Sequence, residues 1–199
     1  MIGVKNHHAR GFTVVELLVV VLLFSLGALA LSATYINFTR LHRRTANAEA
    51  LGEELRFAME LMVRAARNNT IVYPSLPAAI PNPSSQIDLV ARSGAETSFA
   101  VLADTDPACS GLLADCLALS LDGGVTWAPI TGKNVQIDRF DVYVHPDKNP
   151  FQTTGLGAYD NDEQPRVTYN VEARFLATNP REEVRMTVQT AVGSRLYVR

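Results

Sequence analysis

The stretch "RGFTVVELLVVVLLFSLGALALSATYINF", residues 10–38, decides how the rest of the chain is read. From Phe12 to Ile36 it runs for 25 residues, and Glu16 is the only one that carries charge. At a rise of 1.5 Å per residue that run gives a helix of about 37 Å, longer than a hydrocarbon core of about 30 Å. Val19, Val20 and Val21 are β-branched, but in lipid only a helix satisfies its own backbone polar groups. The run therefore reads as a membrane helix, and Glu16 as a charge that needs a reason, since a carboxylate in hydrocarbon is costly and usually functional.

Length and charge bound the remainder. The 199 residues suffice for one ordinary domain plus an appendage, and a composition 47% hydrophobic and 19% charged is globular. Net charge is −2 but uneven. Residues 1–44 hold Lys5, Arg10, Arg40, Arg43 and Arg44 against Glu16, which makes +4, while the other 155 residues hold 13 basic and 19 acidic side chains, which makes −6. An acidic body argues against a nucleic-acid partner, because phosphate neutralisation needs a basic face. Arg40, Arg43 and Arg44 outnumber Lys5 and Arg10, so the positive-inside rule leaves the orientation open.

Three readings compete for the apolar run. As a cleaved secretory signal it would have Lys5 and Arg10 as its basic end and Ala28-Leu29-Ala30 as its small-residue cleavage site. The run is long for such a signal and carries Glu16 near its start. As a plain single-pass anchor it leaves Gly11 and Glu16 unexplained. Either would make the chain a secreted or membrane-anchored binding module.

In the third reading "RGFTVVELLVVVLLF" resembles the N-terminal signal of type IV pilins and type II secretion pseudopilins. In that family a short basic leader ends in glycine, phenylalanine usually follows, and a glutamate comes four residues later. Arg10, Gly11, Phe12 and Glu16 stand at those positions. The resemblance implies a leader, residues 1–11, removed by a prepilin peptidase that cuts after Gly11 and methylates the new amine of Phe12. It also implies that Glu16 neutralises the Phe12 amine of a neighbouring subunit. Physical chemistry makes the pair intelligible: an α-amino cation buried in a helix bundle costs several kcal/mol unless a carboxylate meets it.

The further implications are partners and place. The partners are other pilins or pseudopilins and the assembly platform and ATPase of the pilus or secretion system. The place is the inner membrane, single-pass, with a periplasmic or otherwise extracytoplasmic domain, and then the pilus or pseudopilus. Many major pilins carry a proline where this chain reads Leu31-Ser32-Ala33-Thr34, which favours a minor pilin or pseudopilin.

Beyond the apolar segment, 12–36, the helix is expected to continue over 37–69. Leu41, Ala48, Leu51, Leu55, Ala58, Met62 and Ala65 recur at spacings of three, four and seven, a helical stripe flanked by charged residues. Asn68-Asn69 offers a stop and Pro74 prevents continuation. Prolines 74, 77, 81 and 83 mark a connecting loop. From there 70–199 reads as a β-rich globular domain, with candidate strands in "QIDLVAR", "TSFAVLA", "CLALSLDGGVTWAPI" (two strands around Asp122-Gly123-Gly124), "NVQIDRFDVYVHP", "RVTYNVEARFLA" and "EEVRMTVQTAVGSRLYV". The expected class is α+β, the pilin fold: one long N-terminal helix packed on a four- or five-stranded antiparallel sheet. The last two strands also resemble the C-terminal hairpin of minor pilins and pseudopilins.

Candidate chemistry is thin. His145 precedes Pro146, His7 and His8 lie in the leader, and His42 lies on the exposed helix. No nucleophile–base spacing or phosphate loop is visible, so neither an enzyme nor a cofactor is expected. Cys109 and Cys116, spaced C-x6-C without partner histidines, make a poor zinc pattern. They form a small disulfide loop if the body lies outside the cytoplasm, or two free thiols otherwise. Asp160, Asp162 and Glu163 crowd oxygen ligands into one loop, a weak calcium candidate that lacks the glycine and distal glutamate of a helix-loop-helix site. The simpler reading is a polar turn. Trp127 and Tyr143 are read as core residues before partner anchors.

Overall fold

In the computed structural model, which describes residues 13–75, 78–151 and 163–195, a single helix, α1, spans Val14–Asn68. Its end falls at the predicted Asn68 stop, where the Asn69 N–H still reaches Ala65 O at 3.0 Å. The chain divides into two compact units, one ending at His42 and the other starting at Arg43.

In the first unit the helix carries its apolar side chains on every side. From Val14 to Phe38 the large hydrophobic residues are exposed, and none of the window that could cross a membrane is buried. The helix is long and apolar enough to span a bilayer.

In the second unit the same helix becomes one-sided. Leu51, Leu55, Ala58, Met59, Met62 and Ala66 are buried, which is the expected 3.6-residue stripe. Ala48 and Ala65 are half-buried, whereas Leu41, which the spacing assigns to the stripe, lies exposed in the first unit. Strands follow in chain order: β1 (Thr70–Ile71), β2 (Gln86–Val90), β3 (Glu96–Leu102), β4 (Cys116–Ser120), β5 (Ala128–Pro129), β6 (Val135–His145), β7 (Arg166–Phe175) and β8 (Val184–Gly193). All pairings are antiparallel between sequence neighbours, so each connection is local. The class is α+β as expected, but the strands make two sheets: five strands in the order β1–β5 and three in the order β6–β7–β8.

Two features join the sheets along the free edge of β6. Ser84 pairs with Val142 through reciprocal 2.8 Å backbone bonds, and the Asn82 side chain bonds both the N–H and the C=O of Val144 at 2.8 and 2.9 Å. Further along, Ile137 donates to Asp115 O at 3.1 Å. The proline-rich loop thus covers an edge that would otherwise present unpaired backbone groups. The larger core is formed by the α1 stripe with Ile87, Leu89, Phe99, Leu117, Phe140, Val142, Tyr169 and Val171 among others.

Polar clamps seat the helix on this body. Glu54 accepts from the Gly132 N–H, and Asn47 Nδ2 donates to Glu182 O at 3.0 Å. At the helix end Ser194 Oγ donates to Asn69 O at 3.0 Å. On the outer face of the small sheet Asp138 sits at a bulge in β6 and pairs with Arg174 at 3.1 Å and Arg185 at 3.5 Å.

Candidate processing and assembly site

The start of α1 is set by Thr13. Its hydroxyl oxygen accepts the Glu16 N–H at 3.2 Å, and its carbonyl accepts the Leu17 N–H at 3.1 Å. Thr13-Val14-Val15-Glu16 is therefore the T-x-x-E capping sequence, with threonine satisfying one of the amides that a helix start leaves without an internal partner. Glu16 lies in the first turn, where the positive end of the helix dipole favours a carboxylate. Its cost in an apolar segment is lowest here, one turn from the end. Gly11 and Phe12, the expected cleavage site, lie outside the described residues.

Further along the segment the hydroxyl groups are turned inward. Ser25, Ser32, Thr34 and Thr39 each donate to the carbonyl four residues earlier, at 2.8, 2.8, 2.9 and 2.9 Å. No hydroxyl of these four is left for lipid or for a packed helix to satisfy, which suits a segment surrounded by apolar matter. For Thr13 the T-x-x-E spacing was the signal in the sequence, whereas nothing in it marks the inward turn of these serines and threonines.

The remaining site candidates lie in the body. Cys109 and Cys116 are joined by a disulfide and both are fully buried, packed with Ala118, Leu102, Leu112 and Trp127. Trp127 is half-buried and its indole N–H donates to Gly124 O at 3.0 Å, whereas Tyr143, expected in the core, is exposed because it alternates with the buried Val142 and Val144 on β6. Of the calcium candidates, Asp160 and Asp162 lie outside the described residues. Glu163 places a carboxylate oxygen 2.9 Å from His145 Nε2. Among the described residues no three histidine, cysteine or carboxylate side chains are grouped to hold a metal.

Asp122, read from sequence only as part of a turn, organises the loop between β4 and β5. Its carboxylate accepts from Val125 N–H (3.1 Å), Thr126 N–H (2.8 Å), the Thr126 hydroxyl (2.6 Å) and the Ser120 hydroxyl (2.7 Å). The Thr126 bonds foremost, then Ser120, hold its pKa down to about 2. Gly123 and Gly124 make this possible at φ of 70° and 90°, a backbone region that favours glycine.

Comparison with known proteins bears on the N-terminus. Residues 6–32 match the family model described as the prokaryotic N-terminal methylation motif. No curated protein and no solved structure matches the chain. The motif spans the Arg10–Glu16 signal and most of the apolar segment, and it points to a structural family and to membrane anchoring. The chain thus carries a type IV pilin-like prepilin signal at residues 6–32, ahead of an α+β body.

Proposed function

We propose that the protein is a minor pilin or pseudopilin, a subunit that enters the inner membrane through its apolar helix and then leaves it for a filament. The observation that carries this reading is the methylation motif at 6–32 lying on the start of a helix that is continuous from Val14 to Asn68. Prepilin peptidase cuts after Gly11 and methylates the Phe12 amine. Apolar helices of several subunits then pack side by side, and Glu16 of one neutralises the Phe12 amine of another. Residues 43–195 form the body displayed outside the cytoplasm, and platform protein and ATPase act on the subunit in trans. That the cysteines are paired fits an oxidising compartment.

The N-terminal mass of the mature chain tests this directly. A chain beginning at methylated Phe12 is expected. One beginning at Leu31, just after Ala30, would make it a secreted binding module instead. Glu16→Ala is expected to leave cleavage intact and to reduce methylation or incorporation into filaments. Normal incorporation of that variant would remove Glu16 from the assembly role.

A further inference from the structure

The small sheet ends on a long open edge. β8 pairs with β7 over 10 residues in unbroken register and has no neighbouring strand on its other side. Among the described residues no backbone group of Val184–Gly193 bonds outside that sheet. The body's other edges among the described residues are short or covered. β1 and β5 are 2 residues each, and β6 is covered by Ser84, Asn82 and Asp115. A row of unpaired amides and carbonyls is a template for a further strand, and proteins ordinarily interrupt such a row with proline, lysine or a bulge. β8 has none of the three. Its one charged side chain, Arg185, is engaged within the chain by Asp138 and Glu172, each at 3.5 Å.

The side chains along this edge are incompletely covered as well. Met186, Val188 and Thr190 stay half-buried, while Ala173, Val171 and Tyr169 opposite them on β7 are 0% exposed. On α1, a methyl group at Gly52 would meet only Met186 Cε, at 3.8 Å, so there is room beside Met186. An added strand supplies what both the backbone and the side chains lack here. Its own amides and carbonyls would meet the outward ones of β8, and apolar residues at every second position would cover Met186 and Val188.

A second copy of this chain cannot be that strand. Its open edge is again β8, and an edge pairs with its own copy about a two-fold axis, with the two strands antiparallel. Within the body β8 runs in the same direction as α1: Asn47 donates to Glu182 just before β8, and Arg195 just after it donates its N–H to Arg67 O at 3.2 Å. Two copies joined through β8 would therefore have their α1 helices entering the bodies from opposite ends. Chains anchored in one membrane by the segment that precedes the body cannot be arranged so. We propose that the free edge of β8 receives an extended segment of a different protein, apolar at alternate positions and polar between them. The proposal rests on the membrane-anchored reading and not on filament assembly.

The test uses the full chain in the producing cell's membranes. Gln189→Cys, at an exposed position of β8, is labelled with a benzophenone maleimide, to which the disulfide-bonded native cysteines are inert, and irradiated. A cross-link to a different protein is expected, in a segment whose apolar residues alternate. Thr190→Pro and Ala191→Pro are then added separately. Successive residues of an antiparallel strand direct their amides to opposite edges, so one of the two removes an outward N–H and spares the bonds to β7. The variant whose unfolding midpoint stays nearer the parent's is the edge variant, and it should lose most of the cross-link. In chains that keep the apolar segment, linkage only to a second copy, linkage to a segment without alternation, undiminished linkage in the edge variant, or no linkage would each overturn the proposal. A chain that starts at Leu31 would overturn the anchored reading instead, and the N-terminal mass separates the two failures.

Discussion

The two halves of α1 have the same backbone and opposite surroundings. Leu22 in the first half is 61% exposed, and Leu51 in the second is 0% exposed. The first half is apolar on every side and nothing among the described residues covers it; the second is apolar on one side and the body covers that side. A helix that is hydrophobic all round is made for lipid or for the interior of a bundle, whereas a stripe is made for one sheet.

The largest effect expected from this contrast is in the core. Leu51→Ala deletes methyl groups from a fully buried site and should destabilise the body by about 3 kcal/mol, whereas Leu22→Ala should leave body stability unchanged. Thermal or urea unfolding of the full chain in detergent micelles reads both. Equal losses from the two variants would mean that the first half is covered by the body after all, and the comparison would fail.

Sequence made this contrast legible because period and charge both change between Ile36 and Ala48. Alternation was just as informative in β6 and β7: Phe140, Val142 and Val144, and Val167, Tyr169, Val171 and Ala173, are all buried as their spacing requires. The split into two sheets was not legible. Alternation says which face of a strand is apolar, not which strand lies beside it, and the seam runs through Asn82, Ser84 and Asp115 in loops. β1 was missed because two residues carry no period, whereas β5, the second strand of the expected hairpin, is present but cut to Ala128–Pro129 because the Asp122 loop occupies most of the interval. At the helix start the T-x-x-E spacing was present in the sequence, and the 3.2 Å distance from Thr13 Oγ1 to Glu16 N shows the cap formed. Leu41 continues the stripe in sequence but is exposed, since periodicity does not mark where a covering sheet ends.

A second effect sharpens the comparison within the body. The Cys109–Cys116 link closes a loop between β3 and β4 and forms a small core of its own, apart from the α1 stripe. Replacing both cysteines with alanine should cost about 2 kcal/mol, less than a typical loss for a longer loop, because closing a short loop removes little chain entropy. Unfolding midpoints of the double variant check this. Unfolding of the α1 stripe at unchanged midpoint would show that the two cores are energetically separate.

The smallest effect lies at Asp122, far in sequence from the helix and dependent on pH alone. Its folded pKa is about 2, below the ordinary 3.8, because four hydrogen-bond donors hold the charged form. A depressed carboxylate contributes stability that is fully present above the unfolded pKa and is lost as pH falls through the folded one. The contribution should therefore be constant from neutral pH down to about pH 5 and decline between about pH 4 and about pH 2. Because the carboxylate faces solvent, salt and water screen its charge and the effect should be modest. Comparing the parent with Asp122→Asn over that range isolates it: asparagine keeps an acceptor oxygen but cannot titrate, so the difference between the two should shrink as pH falls. A difference that stays flat to pH 2 would show that these bonds persist in the unfolded chain, for Ser120, Asp122 and Thr126 are close enough in sequence to bond without the sheet. Were that so, the loop would be a local device that the body merely incorporates, and the order of the two glycines, not burial, would be what holds it.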